Sequence, residues 1–281
     1  MLQILLGSVW YFGIYLLVAS AFALYLRFIK VLDFGFVVIL AFGSFGFWYF
    51  YPTNIFLGLG VSFLSCFVFS FLTYRYIYQN YKATIPSEEL IIGMVVTDLF
   101  ANLFLVFLGS NIKVVGIKGV KLEFFGSYFD SNSLIFLVIV LLIYFGVIYL
   151  FKKSSYGLVI NCLPNLKKLN NLGFDVYRIQ FLVVTLGLFC LWISSIGIAI
   201  SQNLQFSFLV NIIIKGWLIA LISQNKIEKV LFTTLILIFV ELFGTQLLNS
   251  EFRDVIFYGF VLIWLALNNI ISEFQTLKQS L

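Results

Sequence analysis

The sequence predicts an all-α, polytopic membrane protein of about nine transmembrane helices, on three observations. Of its 281 residues 62% are hydrophobic and 10% charged, and the mean hydropathy is +1.09. Soluble domains carry roughly 25% charged residues, so most of this chain must face lipid or itself. The apolar runs are continuous rather than alternating, which excludes barrel strands and leaves helices to satisfy the backbone in lipid. Lys and Arg fall mainly on alternate loops, as in chains that cross a membrane repeatedly.

A hydrocarbon core of about 30 Å takes roughly 20 apolar residues as helix. The candidate spans run Ile4–Leu26, Phe34–Phe50, Ile55–Tyr76, Leu90–Leu108, Leu134–Leu150, Ile179–Ile200, Phe208–Ile222, Val230–Leu247 and Val255–Ile271. The first has no Lys or Arg before Tyr15 and is long enough to span, so it is expected to be a retained helix rather than a signal peptide. The second and seventh are short, so they are expected to be tilted, broken or shielded by neighbours. The loop 109–133 is punctuated by glycines (GIKGVKLEFFGS) and has room for a short hairpin. No composition shift divides the chain, so residues 1–281 read as a single transmembrane domain.

With the N-terminus outside, the inner loops and tail hold Arg27, Lys30, Arg75, Lys82, Lys152, Lys153, Lys167, Lys168, Arg178, Lys226, Lys229 and Lys278. The outer loops hold only Lys113, Lys118, Lys121 and Arg253, and Lys215 falls inside a span. The bias predicts a multi-pass protein of the cell (inner or plasma) membrane with an outside N-terminus and a cytoplasmic C-terminus. The same bias accounts for the net charge of +5 without invoking nucleic acid. Membrane lipid is the surrounding partner.

Several chemistries find no footing. There is no His, and Cys66, Cys162 and Cys190 are far apart, so neither a metal site nor a disulfide framework is indicated. No nucleophile sits beside a base, no GxxxxGK[ST] phosphate loop occurs, and no cofactor is called for. A membrane-embedded enzyme or lipid-handling protein would need a polar cluster, for which only Asp33, Asp98 and Asn102 offer material. A purely structural subunit is the remaining alternative.

The longest polar stretch is KKSSYGLVINCLPNLKKLNNLGFDVYRIQ, residues 152–180. Ser154 or Ser155 can cap a helix there. Val159, Cys162, Leu163, Leu166 and Leu169 recur at three- and four-residue steps and make one apolar face, with Asn161, Asn165, Lys168 and Asn171 mostly off it. Pro164 begins or kinks its second half, Gly173 suits its end, and Asp175 suits the cap of the next span. A short amphipathic helix on the inner surface follows, either resting on lipid headgroups or docked to a partner.

Charges within the spans are costly and either pair or line a watered path. Asp98 and Asn102 are four apart and share one helix face, while Lys215 can pair with Asp98 or with Glu241. Both readings, a salt bridge between helices and a polar lining, stay open at this point.

In its motifs the chain resembles the integral-membrane permeases of branched-chain-amino-acid-type ABC importers. That family has S/T-x-x-G, an amphipathic helix and L-G-I-N-x-x-R entering the next span. Here Ser154, Gly157 and Leu172-Gly173-Phe174-Asp175-Val176-Tyr177-Arg178 fall in that order, with Asn161-Cys162 in place of an Arg-Ala pair. The family's N-F-A-H-G is matched by Asp33-Phe34-Gly35-Phe36-Val37 with Gly43 at the same spacing, and its Asn-Leu and closing Gly by Asn102-Leu103 and Gly109. Lys215, Glu241 and the pair Arg253-Asp254 have counterparts too, whereas the family's glycine-rich link before the eighth span is SQNKIEKV here.

The resemblance implies a permease subunit rather than an enzyme. Two such subunits, identical or sister chains, would form the path. Separate ATPase subunits would dock on the cytoplasmic region 152–178, and an extracytoplasmic binding protein would deliver the solute. The coupling positions so implied are Ser154, Gly157, Val159, Leu163, Leu166, Leu169, Gly173 and Arg178. Asp33, Asp98, Asn102, Lys215 and Glu241 are the candidates for the path. Branched-chain or other apolar amino acids are the expected solutes, with urea and nucleosides as alternatives.

Overall fold

The computed structural model describes residues 2–29, 34–78, 86–109, 113, 115, 117, 119–124, 127–153, 176–201, 204–248 and 252–280. All nine apolar runs are helical: α1 (Leu2–Leu24), α2 (Phe36–Phe50), α3 (Ile55–Leu72), α4 (Pro86–Leu108), α5 (Ser131–Lys153), α6 (Val176–Ser201), α7 (Phe206–Ile222), α8 (Ile227–Leu248) and α9 (Arg253–Ser280). The ends of α1 and α3 widen into π-helical turns, Tyr25–Ile29 and Thr73–Tyr78. Among the described residues the fold is all-α apart from one antiparallel hairpin in the glycine-punctuated loop, β1 (Lys121–Phe124) and β2 (Ser127–Asp130), which pairs Lys121 with Asp130 and Phe124 with Ser127.

By length and hydropathy, five described helices can cross a membrane: Ser8–Ile29, Ile55–Arg75, Ile91–Leu108, Ser131–Lys153 and Arg178–Ser201. A sixth span is formed if α7 and α8, which bend by 120° at their junction, count as one broken span. The two short runs are accommodated differently. The 15 residues of α2 reach about 22 Å, less than a hydrocarbon core. They are nonetheless sheltered, since Phe36 through Ala41, Gly43 to Phe45, and Phe47 are buried by neighbouring helices. The α7–α8 turn lacks glycine, so Gln224 and Asn225 take the left-handed backbone (φ 56° and 55°). The Asn225 amide closes it by donating to the Ala220 carbonyl at 3.0 Å.

The centre of the bundle is α1. Its crossing segment is 78% buried, against 11% for that of α4. It packs against α5, α6, α7 and α8, and Ile14 through Tyr25 are almost wholly enclosed. Serines inside the bundle return their hydroxyls to their own helix, as Ser20 does to Leu16 O (2.6 Å) and Ser44 to Leu40 O (2.7 Å). Gly43 marks a close crossing, where a Cβ would strike the Ser195 side chain of α6 and Cys66 Sγ of α3. Trp192 Nε1 donates to Ser62 Oγ at 2.9 Å and fixes α3 to α6.

The connections sort into two ends. At one, Lys113 and Leu204 exchange backbone hydrogen bonds (3.3 and 2.8 Å), tying the hairpin loop to the start of α7. At the other, Arg27, Phe28, Phe151, Lys152, Asn225 and Glu228 surround one cavity of about 190 Å³. Basic residues expected on the inner side thus gather where α1 and α5 end and α8 begins.

Candidate functional site

The spans carry two polar patches, and they differ in kind. The first is built from side chains four residues apart, which therefore share a helix face. α7 supplies Asn211 and Lys215, the first turns of α9 supply Asp254 and Tyr258, α1 supplies Tyr11 and Tyr15, and α8 adds Glu241.

Lys215 is the hub. Its ammonium donates to Glu241 Oε1 at 2.8 Å and lies 2.7 Å from Asp254 Oδ1. Its remaining surroundings are the rings of Phe257 (5.0 Å to the centroid) and Tyr15 (5.7 Å). Arg253 Nε donates to the same Glu241 oxygen, and its guanidinium lies 4.1 Å from the Tyr11 ring centroid. Asn211 Nδ2 donates to Asp254 Oδ2 at 3.0 Å, and Asn211 Oδ1 accepts from the Tyr258 hydroxyl at 2.7 Å.

Lys215 and Glu241 are each 2% exposed, while Asp254 is 50% exposed and meets the surface. Two cations balance two carboxylates, the arrangement that makes burial of charge tolerable. A cavity of about 200 Å³ lined by Tyr15, Phe208, Asn211, Lys215, Arg253 and Asp254 opens beside it.

The second patch lies on α4. Asp98 and Asn102 share a face as their spacing requires, and Asn102 Nδ2 donates to the Asp98 carbonyl at 2.8 Å. Both are exposed, on a face where Val95, Leu99 and Val106 are exposed as well. Among the described residues no ion pair reaches the Asp98 carboxylate. Behind α4 an apolar cavity of about 390 Å³ separates it from α2 and α3, walled by Phe42, Phe45, Phe100, Phe104 and Phe107. α4 is held at Thr97, whose hydroxyl donates to Phe34 O at 3.0 Å and to Gly93 O at 2.8 Å.

The structure therefore joins Lys215 to Glu241 and leaves Asp98 apart from both. Asp33 lies outside the described residues, but the Thr97 bond sets its neighbour Phe34 beside the α4 turn that carries Asp98. Ser154, Gly157, Val159, Leu163, Leu166, Leu169 and Gly173 also lie outside the described residues, and Arg178 is exposed in the first turn of α6. Sequence reasoning noted Arg253-Asp254 only as a resemblance and overlooked Asn211, Tyr258, Tyr11 and Tyr15 as members of the network. The four-residue spacing of polar side chains in apolar helices was the signal that pointed to them.

A bundle of apolar helices around a buried first helix, with charges balanced inside it, is a polytopic membrane protein. The family model described as branched-chain amino acid transport system / permease component matches residues 4–266, and the chain belongs to that family. No curated protein and no solved structure matches it.

Proposed function

We propose that this chain is the membrane-spanning subunit of an ATP-binding-cassette importer, forming part of the path for a small solute, in the first instance a branched-chain or other apolar amino acid. The observation that carries this reading, within a permease family, is the exposed Asp98 on α4. A carboxylate left against lipid is costly, so its face belongs to water or to another subunit. A second permease subunit, a copy or a sister chain, set against this face encloses Asp98 and Asn102 in a polar path, with Asp33 proposed as a further member. The Thr97–Phe34 bond supports that grouping.

Energy enters at the basic end. The segment 154–175 joins α5 to α6, and its apolar stripe suits a groove on a separate ATPase subunit. The gathering of Arg27 and Lys152 at one end supports a cytoplasmic placement of that segment. The N-terminus then lies outside, the C-terminus is cytoplasmic, and a binding protein delivers solute from outside the inner membrane.

Uptake by vesicles carrying the complete importer tests the reading, with radiolabelled leucine, urea and a nucleoside as competing solutes. Leucine uptake that requires ATP is expected. Asp98→Ala should lower it by about tenfold, equivalent to about 1.4 kcal/mol, and Gly157→Trp or Leu166→Asp should abolish it while the chain still inserts. Uptake unchanged in all three variants defeats the reading. Preference for urea or a nucleoside replaces the solute and keeps the rest.

A further inference from the structure

The basic end holds a contact that neither polar patch uses. The buried stripe of α5 is Ser133, Phe136, Val140, Tyr144, Val147 and Phe151. Two of these reach the inner ends of other helices. Phe151 stacks on Phe28 in the π-helical turn that ends α1, with centroids 5.2 Å apart and planes 6° apart. Tyr144, 2% exposed, sets its hydroxyl against the first turn of α8. It donates to the Ile227 carbonyl at 2.6 Å and accepts from the Leu231 amide at 3.3 Å. One hydroxyl thus holds both partners of one backbone turn.

That turn follows directly on the bend between α7 and α8, where Gln224 and Asn225 are already in the left-handed conformation. Farther along α8 stands Glu241, bonded to Lys215 of α7 and Arg253 of α9. α5 is therefore joined at its cytoplasmic end to a helix that carries the ion network near the other end of the bundle. Packed elements shift between discrete arrangements rather than deforming continuously, and π-helical turns recur at functional sites. Coupling between distant sites requires an element of this kind.

We infer that Tyr144 is a positioning residue for energy coupling: its hydroxyl transmits displacement of the α5 end to the bent α7–α8 pair and its ion network. The inference rests on the proposed importer function, in which the segment after α5 meets the ATPase.

The test uses the complete importer in proteoliposomes and reads ATP hydrolysed per solute imported. Tyr144→Phe should raise that ratio by about fivefold or more, the low end of ordinary coupling factors, while ATP hydrolysis itself persists. Tyr149→Phe, an exposed tyrosine on the same helix, should leave the ratio unchanged. A Tyr144→Phe complex that assembles in normal amount and keeps the wild-type ratio overturns the inference. Should that variant assemble poorly, Tyr144→Met, which also removes the hydroxyl, takes its place, and an unchanged ratio there overturns it equally. Absence of ATP-driven uptake by the wild type defeats the proposed function instead, so the two failures are told apart.

Discussion

The two polar patches face the same problem and resolve it in opposite ways. Lys215 and Glu241 are almost wholly buried and are satisfied within the chain, by each other, by Arg253 and by Asp254. Asp98 and Asn102 stand exposed on α4, the least buried of the crossing helices, and among the described residues only the Asn102 side chain finds a partner, in its own helix. A charge that has neighbours of opposite sign becomes structure. A charge without them demands something from outside the chain, whether water, solute or another subunit. The contrast makes the first patch a structural element, and under the proposed function it leaves the second for transport.

The sharpest break of that contrast is Glu241→Ala. It leaves Lys215 and Arg253 without their shared carboxylate and should cost about 3–5 kcal/mol, read as a loss of thermal stability in detergent. A loss below about 1 kcal/mol would mean that the network is not what holds α7 to α8. Replacing both members, Lys215→Met with Glu241→Met, removes a charge of each sign. Arg253 then has Asp254 to balance it, and the double variant should recover about 1 kcal/mol or more of the single-variant loss. A double variant as unstable as Glu241→Ala would show that the pair's geometry, not its charge balance, is what matters.

Gln224→Gly acts on the bend that carries the buried patch. A non-glycine residue in the left-handed region costs about 1–2 kcal/mol, and glycine also enlarges the unfolded ensemble, so a net gain of about 0.5–1 kcal/mol is expected. Destabilisation there would point to a contact of the Gln224 side chain that outweighs backbone relief. Asp98→Ala should have the smallest effect on stability, within about 0.5 kcal/mol, as for exposed sites, although it should lower uptake. A variant that loses stability and uptake together would erase the distinction between the patches.

The helical character of every span was legible because a bilayer offers no hydrogen bonds, so each apolar run must satisfy its own backbone. The shared face of Asp98 and Asn102 was equally legible, since four-residue spacing is a property of the helix alone. The partner of Lys215 was not. Asp98 and Glu241 were both available to it in the sequence, and the choice fell to Glu241 because α8 folds back beside α7 through the turn at 223–226. Asp254, the second partner, comes from a separate helix and is reached only because the first turn of α9 meets α7 at Asn211. The motifs of residues 154–173 signalled the family, which the match over residues 4–266 shows.

By itself, then, the sequence determined a multi-span helical membrane protein, for hydropathy and short-range periodicity are local and survive any arrangement of helices, while its motifs carried the resemblance to a permease family. The tertiary structure decided that α1 is the centre, that the stub α2 can live inside the bundle, and which of the charged residues are spent on each other. Those outcomes depend on contacts between residues far apart in the chain, and a buried charge settles with whichever opposite charge packing brings within about 3 Å, the range of a hydrogen bond.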